Sequence, residues 1–186
     1  MKTLYFDCFS GASGNMILGG LIELGVDADV LRSELAKLNL EGIELVIEKV
    51  DRSGINSTHV EVKYPHEHVH RHLKDIVKII ADSSLAETVK QRAIAIFTRL
   101  AEAEAKVHGI PVERVHFHEV GALDAIVDIV GACIGFEMLG IERFVSSALN
   151  LGSGTVEIAH GKFPVPPPAV AELVRGIPVY SSEGTG

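Results

Sequence analysis

The sequence predicts an α+β fold, a small mixed or antiparallel sheet in β-α-α-β-β-α-α-α-β order with a helical insertion. Two observations carry this. Short stretches with period-two alternation stand beside long stretches with helical spacing, and the helical ones cluster in the middle of the chain. Gly, Pro and Asp punctuate the boundaries between them. Thr3 to Phe9 reads as a strand, followed by the turn Ser10-Gly11-Ala12-Ser13-Gly14-Asn15. Asn15 is the expected N-cap of a helix running from Met16 to a stop at Gly25. Asp27 caps a second helix with Val30, Leu31, Leu35 and Leu38 on one face. Ile43 to Val50 and Thr58 to Tyr64 form an antiparallel hairpin about Asp51-Arg52-Ser53-Gly54. Val60, Val62 and Tyr64 face one way; His59, Glu61 and Lys63 face the other. Helices are expected over Leu73 to Ala81, Leu85 to His108 (closed by Gly109 and Pro111) and Ala122 to Leu139. A strand over Arg143 to Leu151, a stiff Pro164–Pro168 stretch and a short helix over Ala169 to Val174 complete the chain. Residues 1–186 read as a single domain, with the insertion over about 72–140.

Composition narrows the function classes. With 186 residues and 47% hydrophobic content the chain can bury a core. Its net charge of −8 argues against a nucleic-acid backbone as partner. Two cysteines do not make a disulfide framework, so a reduced cytoplasmic setting is expected. No apolar run reaches membrane length, and Asp7 comes too early for a secretory leader. The unusual quantity is histidine: eight of nine lie between His59 and His118.

His66, His68, His70 and His72 recur at every second residue, so a strand would point all four one way and a helix would pair them i,i+4. Either arrangement brings imidazoles to one ion, and imidazole suits nickel, zinc, copper and iron. A solvated loop with adventitious affinity is the plain alternative. His116 and His118 share one side of an extended segment anchored by Val115, Phe117 and Val120, with Glu119 beside them. A pair on a rigid support is the better candidate site; two histidines bonded to backbone carbonyls is the structural alternative. Asp124 and Asp128 then lie i,i+4 in an otherwise apolar helix, and Gly131 and Gly135 continue their stripe. A carboxylate there is costly unless paired or cation-bound. Asp124 and Asp128 are candidate catalytic acids on this ground, joined by Asp7 at a strand end and Glu119 at an expected helix start. Ser10, Gly11, Ser13, Gly14 and Asn15 are candidates for a phosphate or carboxylate of a bound cofactor, through backbone N–H groups at a helix start. Cys8 reads as a thiolate ligand or a small buried hydrophobe, and Cys133 as core.

Three blocks carry a resemblance: Phe6-Asp7-Cys8-Phe9-Ser10-Gly11 with Ser13-Gly14-Asn15-Met16; Val115-His116-Phe117-His118-Glu119-Val120-Gly121-Ala122 with Asp124 and Asp128; and Ala159-His160-Gly161 with Pro164-Val165-Pro166 and Pro168-Ala169. In this order they resemble the nickel insertion protein family (LarC, nickel chelatases) of nickel-pincer cofactor biosynthesis. The resemblance implies a cytoplasmic enzyme of the lyase class. It would insert nickel into pyridinium bisthiocarboxylic acid mononucleotide, giving the cofactor of lactate racemase. It further implies dependence on CTP with manganese or magnesium, at a C-terminal nucleotide domain that lies beyond Gly186. The family pattern has Asp where this chain has Asn15. The expected partners are the pyridinium mononucleotide and, left open, a second copy of the chain or its own C-terminal part. A nickel store without turnover and a metal-dependent phosphohydrolase are the alternatives that spacing alone leaves standing.

Overall fold

The computed structural model describes residues 1–65, 71–117, 123–158 and 161–182. It is α+β, and among the described residues its strands form five two-stranded pairs. β1 (Thr3–Phe6) pairs parallel with β6 (Arg143–Ser146). β2 (Glu44–Arg52) and β3 (Ile55–Lys63) form the expected antiparallel hairpin, with Leu45 opposite Val62 and Ile47 opposite Val60. β4 (Arg71–His72) pairs antiparallel with β5 (His116–Phe117). β7 (Leu149–Asn150) pairs parallel with β10 (Val179–Tyr180). β8 (Thr155–Ile158) and β9 (Gly161–Pro164) form a second hairpin that hydrophobic alternation had not revealed.

The expected 143–151 strand is split for a specific reason. At Ser147 the hydroxyl accepts from the Cys8 backbone N–H at 2.9 Å and donates to the Ala148 carbonyl. The chain leaves β1 there and takes β10 as its new neighbour.

The helices are α1 (Gly14–Glu23), α2 (Ala28–Ala36), α3 (Leu73–Asp82), α4 (Glu87–His108), α5 (Leu123–Met138) and α6 (Pro168–Leu173). Asp27 caps α2 as expected, its carboxylate accepting from Asp29 and Val30 N–H. The cap of α1 is a correction. Ser13, not Asn15, holds it, through Met16 N–H to Ser13 Oγ at 3.3 Å. Asn15 lies inside the helix and donates from Nδ2 to the Val60 carbonyl of β3 at 2.8 Å. An Asp at that position would have no proton to donate while ionised, so the amide is what fastens α1 to the hairpin.

The core gathers Leu18, Leu31, Ile76, Ile80, Phe97, Ile126, Val127, Val130 and Cys133, all fully enclosed. Each large aliphatic or aromatic side chain there contributes about 1.5–3 kcal/mol relative to exposure. The alanines of α4, Ala101, Ala103 and Ala105, are buried within the chain itself, so intra-chain packing accounts for them. Cys8 and Cys133 are free and buried. Burial pushes the Cys133 thiol up to about 11, which fits an inert core residue.

Two contacts set the position of α1. Its leucines face glycines of α5: a Cβ at Gly131 would lie 3.0 Å from Leu18 and one at Gly135 2.8 Å from Leu21. A Cβ at Gly14 would overlap the Asp128 carboxyl. The contacts 14 with 128, 18 with 131 and 21 with 135 ascend together, so α1 and α5 run side by side in the same direction. On the hairpin side, Gly19 abuts Thr58, whose carbonyl oxygen would be 2.5 Å from an added Cβ.

Neighbouring glycines should therefore respond oppositely to alanine. Gly19→Ala is expected to cost about 1–3 kcal/mol, because the obstructing atom is backbone and cannot step aside. Gly20→Ala, with nothing within 4 Å, is expected to gain about 0.5–1 kcal/mol from reduced freedom of the unfolded chain. Urea unfolding of the two variants measures both, and a Gly19→Ala protein as stable as the parent contradicts the packing.

Candidate functional site

Because α1 and α5 are parallel, their N-termini lie at one end of the molecule. The Ser10–Asn15 turn and the two acids of α5 are thereby brought to the same place. Asp128 is the most perturbed member. Burial first, and the neighbouring Asp124 charge second, push its carboxyl up to about 6. Its Oδ1 is enclosed and, among the described residues, has no hydrogen-bond partner. An orphaned carboxyl oxygen is costly in a protein interior, and a proton or a cation relieves the cost. Asp124 accepts from the Ala125 backbone N–H at 2.8 Å, and its carboxylate also receives the Tyr64 hydroxyl. Burial and the Asp124 charge raise the Tyr64 phenol above its ordinary value, so it stays protonated and acts as a donor.

The sequence places Tyr64 on one face of a strand with Val60 and Val62 and gives it no role in the site. The available signal was its polar tip: an inward Tyr at a strand end requires a partner for its hydroxyl, and an acid nearby in space supplies one.

The histidine positions divide. His66, His68, His70, His118 and Glu119 lie outside the described residues, as does His160. His72 closes β4 and precedes α3, with its backbone N–H bonded to the Asp75 carboxylate at 2.9 Å. It stands across from His116, with ring centres 4.0 Å apart. Val115 and Phe117 are buried as expected, so the His116 strand is anchored in the core. His116 also lines a cavity of about 600 Å³ between α4, α6 and β9, together with His108, Phe117 and Phe163. In its wall His108 Nε2 is 3.5 Å from the Glu104 carboxylate.

Asp7 is exposed at the end of β1 and lines a different cleft of about 200 Å³, with Tyr5, Gly11 and Met16. Ser10 and Ser13 are exposed in the turn, Gly14 packs on Asp128, and Asn15 is bound to β3. Cys8 is buried beneath the turn, so the small-hydrophobe reading fits its place. Among the described residues no three His, Cys, Asp or Glu side chains gather as a metal cluster, and no helix is long and apolar enough to cross a membrane.

The structure is α+β, with carboxylates at the paired helix starts and two facing imidazoles on the β4–β5 ribbon. The nickel insertion protein family model matches residues 4–186, and the chain belongs to that family. A "Putative nickel insertion protein" of Geotalea daltonii is 53% identical over the whole chain, which covers 48% of that protein. A protein of Desulfitobacterium hafniense named pyridinium-3,5-bisthiocarboxylic acid mononucleotide nickel insertion protein is 52% identical, with 46% of it covered. A relative from Dictyoglomus thermophilum is 50% identical, again with 48% covered. The chain thus spans about half the length of the curated relatives it matches. No solved structure matches.

The Asp128 environment gives a pH signature. The folded state keeps the Asp128 proton up to about 6, whereas the unfolded chain loses it near 3.8. Between those values the folded state binds more protons, so this group's contribution to stability falls as pH rises through the window and is fully lost above it. Asp128→Asn is expected to match the parent at pH 4 and to be more stable by about 1 kcal/mol at pH 8, a figure reduced because Asp128 is only half-buried. Denaturant unfolding at the two pH values measures this, and a difference independent of pH contradicts it.

Proposed function

We propose that this chain supplies the nickel-handling part of an enzyme that inserts nickel into pyridinium-3,5-bisthiocarboxylic acid mononucleotide. The observation that carries the reading is the Asp124–Asp128–Tyr64 cluster at the paired helix starts, in a chain of the nickel insertion family. The substrate comes from the name of the Desulfitobacterium relative. CTP with manganese or magnesium belongs, in this reading, to the part of the longer protein that follows. The product is the nickel-pincer cofactor of lactate racemase, and the compartment is the cytoplasm.

The donor chemistry suits a chelatase. Imidazoles and carboxylates hold nickel(II) more loosely than thiolates, so the two sulfur-bearing groups of the precursor can take the ion from them. The turn Ser10-Gly11-Ala12-Ser13-Gly14-Asn15 is the proposed seat of the mononucleotide phosphate, with N–H groups at the start of α1 as donors. That seat lies beside Asp128. A phosphate is tolerated there when the Asp128 carboxyl is protonated or neutralised by a cation, since two anions in contact repel. Asp128 thereby couples occupancy of the turn to a positive charge nearby. Asp7 and Glu119 are the remaining proposed acids. His66, His68 and His70 are proposed to collect nickel.

The test is reconstitution. The chain together with its C-terminal part, CTP, magnesium or manganese, nickel and the precursor should yield a nickel-bound product by mass spectrometry. Asp124→Asn and Asp128→Asn are each expected to slow insertion about 100-fold, as the loss of a positioned acid–base group does. The competing reading, a nickel store, predicts bound nickel, no product and no effect of either substitution. Its support is the run of alternate histidines from His66 to His72.

A further inference from the structure

The antiparallel register of β4 and β5 sets His72 directly opposite His116. The end of one histidine cluster and the start of the other therefore meet on one two-stranded ribbon, although 43 residues separate their ends in the chain. The imidazole rings are 4.0 Å apart between centres, with their planes tilted by 45°. Two imidazoles bound side by side to one ion at about 2.0–2.1 Å have centres roughly 4–5 Å apart.

The His72 ring is already oriented for this role. Its Nδ1 lies 3.1 Å from the Val115 carbonyl oxygen. A carbonyl only accepts, so the neutral ring that bonds there carries its proton on Nδ1 and keeps the Nε2 lone pair. Fixing one ring nitrogen on a backbone carbonyl is how proteins present the other to a metal. The support beneath is rigid. Val115 and Phe117 are buried, and Phe97 meets Phe117 edge-on at 6.4 Å between centres.

We infer that His72 and His116 form a two-imidazole docking site for nickel(II) at the wall of the cavity between α4 and α6. The inference rests on the nickel-insertion reading and adds the place where the ion is held before transfer. Among the described residues these two imidazoles are the donors that the register brings together, and a site with few protein donors keeps coordination positions for the acceptor of the ion. His116 belongs to the same wall as Phe117, Phe163, Leu100 and Leu173, so the ion sits beside an apolar space. A cavity of about 600 Å³ with aromatic lining takes a flat heteroaromatic ring carrying sulfur donors.

The test titrates nickel(II) alone into the chain by calorimetry, with His66, His68 and His70 changed to Ala so that they do not contribute. One nickel per chain is expected. His72→Asn and His116→Ala should each weaken binding at least tenfold, and the double variant should bind little worse than either, because both rings hold one ion. His72→Asn is the discriminating change, since its amide can still donate to the Val115 carbonyl while the Nε2 ligand is gone. Thermal unfolding checks that the fold survives; should His72→Asn fail to fold, His116→Ala, at an exposed position, decides alone. Unchanged nickel affinity in the folded variants overturns the docking site. If that happens while the reconstituted parent still inserts nickel, the docking site falls and the proposed function stands.

Discussion

The site depends on one contact, the close parallel approach of α1 and α5 through glycine. With side chains at Gly131 and Gly135, Leu18 and Leu21 would be pushed off α5; with one at Gly14, the Asp128 carboxyl would lose its place. Because the two helices run in the same direction, both helix starts lie at one end. The turn after β1, the acids of α5 and Tyr64 at the end of β3 then share that end. Asn15 reinforces the arrangement by fastening α1 to the Val60 carbonyl.

That geometry has an electrostatic consequence. Asp128 is held against a helix backbone beside a second carboxylate, and its carboxyl is pushed up to about 6. A group poised near neutral pH responds to small changes in its surroundings, above all to a cation. The partially positive start of a helix favours negative charge nearby, but among the described residues no hydrogen-bond donor reaches Asp128 Oδ1. A metal ion or a proton does, and the choice between them is the chemistry of the proposed site.

The sequence made much of this visible. Patterning located the β2–β3 hairpin, the cap at Asp27, all of α4 to within two residues and the acid stripe of α5. Other features depend on partners distant in the chain, to which local patterning is blind. Asn15 looks like a cap because Asn caps helices well, yet its amide is spent on β3 and Ser13 takes the cap. The 143–151 strand breaks at Ser147 because a hydroxyl there intercepts the Cys8 N–H. Two-residue strands such as β4 and β5 are too short to leave a period, so the facing of His72 and His116 follows only from the register. The glycines of α5 signalled a close neighbour, but not that the neighbour was α1.

The central claim is that nickel is handled by this chain's own side chains, at the paired starts of α1 and α5 or on the β4–β5 ribbon. Crystals of the chain grown with nickel(II) and measured at the nickel absorption edge test it most directly. An anomalous peak within bonding distance of His72 and His116, or of Asp124 and Asp128, is the predicted result. Ordered nickel only at sites remote from all four of these side chains would contradict it.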